Sequence, residues 1–151
     1  MVKKIDIGCG SKPKEGYIGL DCEPGCSPDI LCDVNEGIIF TDLEAVWMDN
    51  SLEHVKDPIY LIKECHDALR LGGKIEIIIP NLQWWPLLIL SWFTDLHRFW
   101  NWWMRRKKNR GIHYTMWTPY TLQLAVRTAG FYIVEKKGWH LGKEFYIKAV
   151  K

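Results

Sequence analysis

The 151-residue chain has little of what marks fibrous, disordered or disulfide-stapled proteins. It has no internal repeat, low-complexity tract or Ser/Gly-rich linker, and its 48% hydrophobic and 25% charged residues are ordinary globular values. A formal net charge of only +2 gives no whole-chain argument for nucleic-acid binding. The length suits a single domain, residues 1–151, whose core can form without covalent or metal staples.

The first residues contain no apolar stretch of the kind that a secretory signal needs. The five cysteines are an odd count, and they form no CxxC pair. Cys22, Cys26 and Cys32 are close enough in sequence to raise a zinc site, but an obvious fourth ligand is missing. We therefore expect reduced thiols, no metal and a cytoplasmic location.

Short continuous apolar runs predict strands that are buried on both faces of a sheet. They occupy residues 3–7, 17–20, 30–32, 45–48, 74–79, 131–135 and 145–150. Helical periodicity predicts one helix from Asp57-Pro58 to a stop at Gly72-Gly73, and another from Thr118-Pro119 to a stop at Gly130. This alternation predicts an α/β fold with a mostly parallel sheet and one late antiparallel strand.

The connection between the first two predicted strands is too short for an ordinary parallel crossover. Only six residues, 11–16, separate Gly10 from Tyr17, whereas a parallel crossover needs about a dozen or more. Either the first crossover is reduced to a turn, or the second strand is not parallel to the first.

Polar residues stand at the ends of four predicted strands, where ligands bind in open α/β sheets. The glycine turn after the first strand lets a ligand approach the backbone, because no Cβ blocks it. After the second strand, the carboxylate of Asp21 can accept hydrogen bonds from both hydroxyls of a ribose. After the third, Asp33 can accept a hydrogen bond from an adenine amino group, and Asn50-Ser51-Leu52-Glu53-His54-Val55 follows the fourth. Each residue alone also fits a simple turn, but the four sets together favour a ligand crevice.

Several segments together resemble class I S-adenosylmethionine-dependent methyltransferases, most closely a short type-11-like group. The segments are Asp6-Ile7-Gly8-Cys9-Gly10, Gly16-Tyr17-Ile18-Gly19-Leu20-Asp21, Leu52-Glu53-His54-Val55, Leu69-Arg70-Leu71-Gly72-Gly73-Lys74 with Pro80-Asn81, and His113-Tyr114-Thr115-Met116-Trp117-Thr118-Pro119 with Ala129-Gly130-Phe131. They cover most of residues 3–81 and 113–135, and their order and spacing make the resemblance fairly specific. It implies a Rossmann-like fold and S-adenosylmethionine as cofactor, and the short first connection, as a reduced first crossover, departs from the family's pattern.

The resemblance also implies roles by position. The methionine part of the cofactor would be held by Asp6, Gly8, Cys9 and Gly10. Its ribose would bind Asp21, its adenine Asp33 and the Val34 amide, and its sulfonium would lie near Asn50. Lys12 stands near the place of the family's third glycine. It could pair with the methionine carboxylate, but we interpret it as a solvated loop lysine.

Two histidines are candidate catalytic bases, since an unshifted imidazole titrates near neutral pH. His54 follows the fourth strand and is slightly preferred, with Glu53 as a residue that could position it. His113 is the first residue of the His113–Pro119 segment and could reach over the crevice. We predict methyl transfer to an oxygen of a sugar, lipid-linked sugar or small molecule. The alternative is a non-catalytic, degenerate methyltransferase fold that acts as a binding module.

Six of the nine tryptophans lie between residues 82 and 104. Residues 82–112 carry a net charge of +5, which leaves −3 for the rest of the chain. We interpret this insertion first as an interfacial membrane helix, over residues 82–110, or an acceptor-pocket lid, then as a dimer face, and last as a nucleic-acid surface. Simple closure of the core by the tryptophans is the structural alternative.

Overall fold

The structure is a computed structural model, and it describes residues 2–81, 83 and 114–151. The seven described strands are β1 (Lys4–Ile7), β2 (Ile18–Asp21), β3 (Ile30–Leu31), β4 (Leu43–Asp49), β5 (Leu69–Pro80), β6 (Tyr132–Trp139) and β7 (Glu144–Val150). Two α-helices are described, α1 (Pro58–Ala68) and α2 (Pro119–Thr128). Short 3-10 helices cover Pro24–Cys26, Val34–Glu36, Leu52–His54 and His140–Gly142.

All seven described strands form one sheet in the order β3-β2-β1-β4-β5-β7-β6. Strands β1 to β5 are parallel to one another, and β7 is antiparallel to both β5 and β6. The predicted α/β fold, with its late antiparallel strand, is therefore confirmed.

The first crossover is a turn. Strand β2 runs parallel to β1, with Ile5 opposite Ile18, and no helix lies between the two strands. Gly8 and Gly10 take left-handed backbone conformations with φ of +70° and +57°, which glycine adopts without steric cost. Of the two alternatives that the short connection left open, the reduced crossover is the correct one.

Helix α1 begins as its sequence indicates but ends earlier than predicted. The Asp57 side chain accepts a hydrogen bond from the Tyr60 amide, and Pro58 occupies the first turn. The predicted stop at Gly72-Gly73 is wrong, because the helix ends at Ala68 and the chain enters β5 directly. A Cβ on Gly73 would lie 2.9 Å from the Leu43 carbonyl oxygen, so this glycine permits a close approach of β5 to β4 rather than ending a helix.

The two faces of the sheet differ in polarity. One face is apolar and buries β1, β4, β5 and β7 against α1 and α2, and its fully buried side chains include Ile5, Val46, Ile77, Leu61 and Leu122. The other face carries alternate residues of the same strands, among them Asp6, Trp47, Glu76 and Lys148. Among the described residues no α-helix covers this polar face, because both described helices belong to the apolar core.

Candidate functional site

The glycine turn after β1 lies between the carboxyl ends of β2 and β4. The amides of Gly8 and Cys9 both donate to the Leu20 carbonyl of β2, at 2.8 and 3.2 Å. A Cβ placed on Gly8 would approach the Ser51 Cβ more closely than the 3.0 Å that real Cβ contacts respect. The sequence therefore needs glycine at position 8 for two reasons, its backbone conformation and the end of β4 beside it.

Asp21, at the carboxyl end of β2, lies against this turn. One of its carboxylate oxygens accepts from the Gly10 amide at 2.9 Å, and the other accepts from the Glu23 amide at 2.9 Å. A carboxylate offers about four acceptor positions, so about two remain for other donors. The structure thus brings Gly10 and Asp21, two of the predicted cofactor residues, into direct contact.

Asp33 and Val34 stand at the next strand end. The Asp33 carboxylate accepts from the backbone and side-chain nitrogens of Asn35, at 2.9 and 2.6 Å, and caps the Val34–Glu36 helix. The Asn35 side-chain oxygen accepts from the Lys56 amide at 3.0 Å. This predicted adenine-binding corner is consequently fixed to the segment that leads into α1.

Asn50 joins three strand ends. Its backbone has φ of +50°, and its amide donates to the Ile78 carbonyl of β5 at 3.0 Å. Its side-chain nitrogen donates to Asp49 at 2.9 Å and to Glu144, at the start of β7, at 3.2 Å. The Ser51 side chain that follows is buried, and its hydroxyl has no hydrogen-bond partner in the described part of the chain.

Of the two candidate histidines, the described residues include His54 alone. His54 ends the Leu52–His54 helix, is half-buried, and donates its backbone amide to the Ser51 carbonyl at 3.0 Å. His113 lies outside the described residues. Glu53 is 2% exposed, and its carbonyl accepts from the Tyr114 amide at 2.8 Å, so the chain after the undescribed segment is fastened to the end of β4.

A pocket of about 280 Å³ opens beside the glycine turn. Its lining residues are Asp6, Gly8, Cys9, Lys12, Lys14, Trp47 and Asp49. Three of these were predicted as cofactor residues, whereas Lys14, Trp47 and Asp49 were missed. The parallel register explains Trp47, because it stands opposite Asp6 in the β1–β4 pair, and Asp49 follows two residues later on the same face. Strand alternation places Trp47 and Asp49 on one face of β4, but that this face lies beside Asp6 depends on the pairing of β4 with β1.

Burial governs the ionisation of the pocket's predicted residues. Asp6 is 4% exposed and accepts from the Lys14 amide at 2.7 Å. Burial raises the pKa of its carboxyl group, and the nearby charge of Asp49 raises it further, against the opposing effect of that hydrogen bond. Burial and the Asp6 and Asp21 charges raise the pKa of the Cys9 thiol to about 11. Cys9 is therefore a neutral thiol near pH 7, unsuited to nucleophilic chemistry.

A network of aromatic and charged side chains continues the polar face next to the pocket. The Lys14 ammonium lies 3.0 Å from the centroid of the Trp47 ring, a cation–π contact. Glu76 bonds Lys74 at 3.0 Å and the Tyr146 hydroxyl at 2.8 Å. Burial acts to raise the pKa of Glu76, but these two bonds together with the Lys74 and Lys14 charges leave the pKa below its ordinary value. Glu76 is thus an ionised anchor between β5 and β7.

The fold is that of class I S-adenosylmethionine-dependent methyltransferases, as comparison with solved structures shows. A methyltransferase in complex with the Trm112 methyltransferase activator, from Haloferax volcanii, superposes with a TM-score of 0.72 at 15% identity, covering 99% of this chain and 84% of that one. A SAM-dependent methyltransferase from Archaeoglobus fulgidus gives 0.71 at 17% identity, covering 99% and 86%. Phosphoethanolamine N-methyltransferase 2 from Haemonchus contortus, in complex with S-adenosyl-L-methionine, gives 0.69 at 14% identity, covering 99% and 48%.

The family is shown by sequence. The pattern of the family described as Methyltransferase domain matches residues 41–136, more than half of the chain. The chain belongs to this methyltransferase family. The match begins after the glycine turn, Asp21 and Asp33, so it is independent of those residues. No curated protein sequence matches the chain.

The described residues fit the cofactor that this family and fold indicate. Open space lies where a Cβ on Gly10 would stand, because no heavy atom is within 4 Å of that position. The buried Ser51 hydroxyl next to Gly8 retains its hydrogen-bonding capacity. The pocket offers carboxylates and ammonium groups together, which suits the amino-acid end of S-adenosylmethionine.

Proposed function

We propose that this protein transfers a methyl group from S-adenosylmethionine to an oxygen of a sugar, a lipid-linked sugar or another small molecule. The observation that carries the proposal is the meeting of the ends of β1, β2 and β4 at one edge of the sheet, with a pocket beside them. Ligands of open α/β sheets bind at this edge. Membership of the methyltransferase family supports the reaction, and the oxygen acceptor is our own proposal.

The chain's residues would bind the cofactor in three parts. Gly10 leaves the backbone open at the turn, so that the cofactor can lie against it, whereas Gly8 lets the turn pack on Ser51. Asp21 would accept from the ribose hydroxyls through the acceptor positions that its two backbone bonds leave unused. Asp33 and the Val34 amide would bind the adenine. Asn50, held by Asp49 and Glu144, would lie near the reacting sulfur.

When bound, the cofactor supplies an activated methyl group on a cationic sulfur. The protein's part is to hold the acceptor oxygen in line with that methyl and to keep water out. We propose His54 as the base that takes the acceptor's proton, because it follows directly on the strand end that carries Asn50. His113 stays a second candidate from the sequence.

The proposal is tested by calorimetric titration with S-adenosylhomocysteine and S-adenosylmethionine. Asp21→Ala should weaken S-adenosylhomocysteine binding by at least about tenfold, since bonds to an ionised group are lost. Asp42→Ala is the matched control, because Asp42 pairs with Lys3 just before β4, at the opposite edge of the sheet. Absence of binding at millimolar ligand would refute the enzyme proposal and favour the degenerate binding module. Unchanged affinity in Asp21→Ala would refute the ribose assignment.

We also propose, from the sequence alone, that residues 82–110 contact an anionic membrane surface. The described residues contain no helix of the length and apolarity that crossing a bilayer requires. Six tryptophans and the Arg105–Arg110 basic cluster are typical of a segment that lies in the interface. Sedimentation with anionic liposomes at low salt should carry the protein down, and zwitterionic liposomes should not. Failure to sediment with anionic liposomes would refute this contact.

A further inference from the structure

We propose that Lys12 binds the carboxylate of the cofactor's amino-acid end, replacing the helix N-terminus that a full crossover would supply at this place. The inference rests on the proposed function and assigns a residue that the sequence alone suggested was a solvated loop lysine. Its basis is the course of the loop over residues 9–17 and the charges around the pocket.

The loop is fixed on both sides of Lys12. The Lys12 amide donates to the Cys9 carbonyl at 3.4 Å, and the Lys14 amide donates to the buried Asp6 carboxylate at 2.7 Å. Between them Pro13 packs on β2, since a Cβ on Gly19 would lie 2.6 Å from the Pro13 ring. The turn therefore crosses the polar face of the sheet in a defined path, with Lys12 at the pocket wall.

The pocket matches a zwitterion. Its wall holds two carboxylates, Asp6 and Asp49, and two ammonium groups, Lys12 and Lys14. The amino-acid end of S-adenosylmethionine and of S-adenosylhomocysteine carries one ammonium and one carboxylate near pH 7. Binding of such a group pairs each ligand charge with an opposite charge on the wall. The buried Asp6 is the natural partner of the ligand ammonium.

The two lysines are not equivalent. The Lys14 ammonium already lies on the Trp47 ring and is 5.6 Å from the Tyr17 ring centroid. Lys12 has no side-chain hydrogen bond, ion pair or ring contact with any of the described residues, and its side chain is exposed at the pocket. Lys12 is thus the cation that can reach a ligand carboxylate without breaking a contact within the protein.

No helix follows the glycine turn, so no helix dipole stabilises an anion there. A lysine side chain can supply a full positive charge in its place, and the amide bonds of Lys12 and Lys14 fix the backbone from which the Lys12 side chain reaches the pocket. The reduced crossover and Lys12 are accordingly two parts of one arrangement.

The experiment compares two ligands on the purified full chain. S-adenosylhomocysteine has the carboxylate, and its decarboxylated amine analogue lacks only that group. Lys12→Met should weaken binding of S-adenosylhomocysteine about tenfold, the usual loss for a charge-assisted hydrogen bond, and change binding of the amine analogue less than about twofold. Lys12→Arg should retain most of the affinity for S-adenosylhomocysteine. Lys63→Met, an exposed lysine of α1, is the matched control and should change neither.

The outcomes separate this inference from the proposed function. If the wild type binds S-adenosylhomocysteine but Lys12→Met lowers the affinity for both ligands equally, or for neither, the role of Lys12 is overturned. The proposed function then still stands. Absence of any wild-type binding overturns both proposals. Thermal melting of each variant shows that the loop substitution leaves the fold intact.

Discussion

Replacement of Gly8 by alanine tests the contact between the turn after β1 and the end of β4. Two penalties combine in this variant. The alanine must adopt a φ of +70°, and its new Cβ must share space with the Cβ of the buried Ser51. Gly10 provides the matched control, because it has a φ of +57° but open space where a Cβ would stand.

The magnitudes follow from these two environments. A left-handed conformation costs a non-glycine residue roughly 1–2 kcal/mol, and both variants bear it. Overpacking in a tight site costs about 1–3 kcal/mol more, and only Gly8→Ala bears that. The expected loss in free energy of unfolding is therefore about 2–5 kcal/mol for Gly8→Ala and about 1–2 kcal/mol for Gly10→Ala. Since domains have only about 5–15 kcal/mol in total, the difference is readily measured.

Urea unfolding followed by far-UV circular dichroism gives both free energies. The double variant Gly8→Ala with Ser51→Gly removes the obstructing Cβ and should recover most of the loss beyond that of Gly10→Ala. The reasoning is refuted if Gly8→Ala is no less stable than Gly10→Ala, or if the double variant recovers nothing.

Two further predictions concern ionisation in the pocket. Because the pKa of Asp6 is raised by burial above the ordinary 3.8, the folded state binds its proton more tightly, and the wild type loses stability as the pH rises through that folded-state pKa. The free energy of unfolding of Asp6→Asn relative to the wild type, from urea unfolding at a series of pH values, should thus increase as the pH rises from below 3.8 through the folded-state pKa; a difference independent of pH would contradict this. The Cys9 thiol, with its pKa of about 11, should be alkylated by iodoacetamide about tenfold faster per pH unit from pH 7 to 9, by mass spectrometry of its peptide. A rate that levels off below pH 9 would show a lower pKa.

The sheet and its strand ends could be predicted from the sequence because each rests on a local pattern. Short apolar runs located the seven described strands, and Asp21 lies at the end of β2 rather than just past it. The end of α1 could not be predicted, since Gly72-Gly73 is a common helix stop. What places these glycines in β5 is a long-range pairing of Leu69 with Leu43, which no local pattern contains.

The candidate site was predictable only in its backbone-determined part. Glycines directly after a strand indicate a turn, and the structure places Gly8 and Gly10 in such a turn. The roles of Lys14 and Trp47 depend instead on which strands are neighbours, and on a loop that crosses the polar face. The contacts of such side chains depend on strand order, so they cannot be predicted from one segment of the sequence at a time.

The insertion of β7 between β5 and β6 sets the order in which the sheet can assemble. Strand β6 precedes β7 in the chain, yet among the described strands β7 is its one neighbour in the sheet. The β6–β7 hairpin has local contacts and can form quickly, whereas pairing of Lys74 with Val150 must close a long loop. Until that hairpin docks, β5 presents an isoleucine-rich edge with unpaired backbone groups, the kind of edge at which chains aggregate. The rate at which the hairpin docks on β5 therefore limits how long a newly made chain is exposed to misassembly.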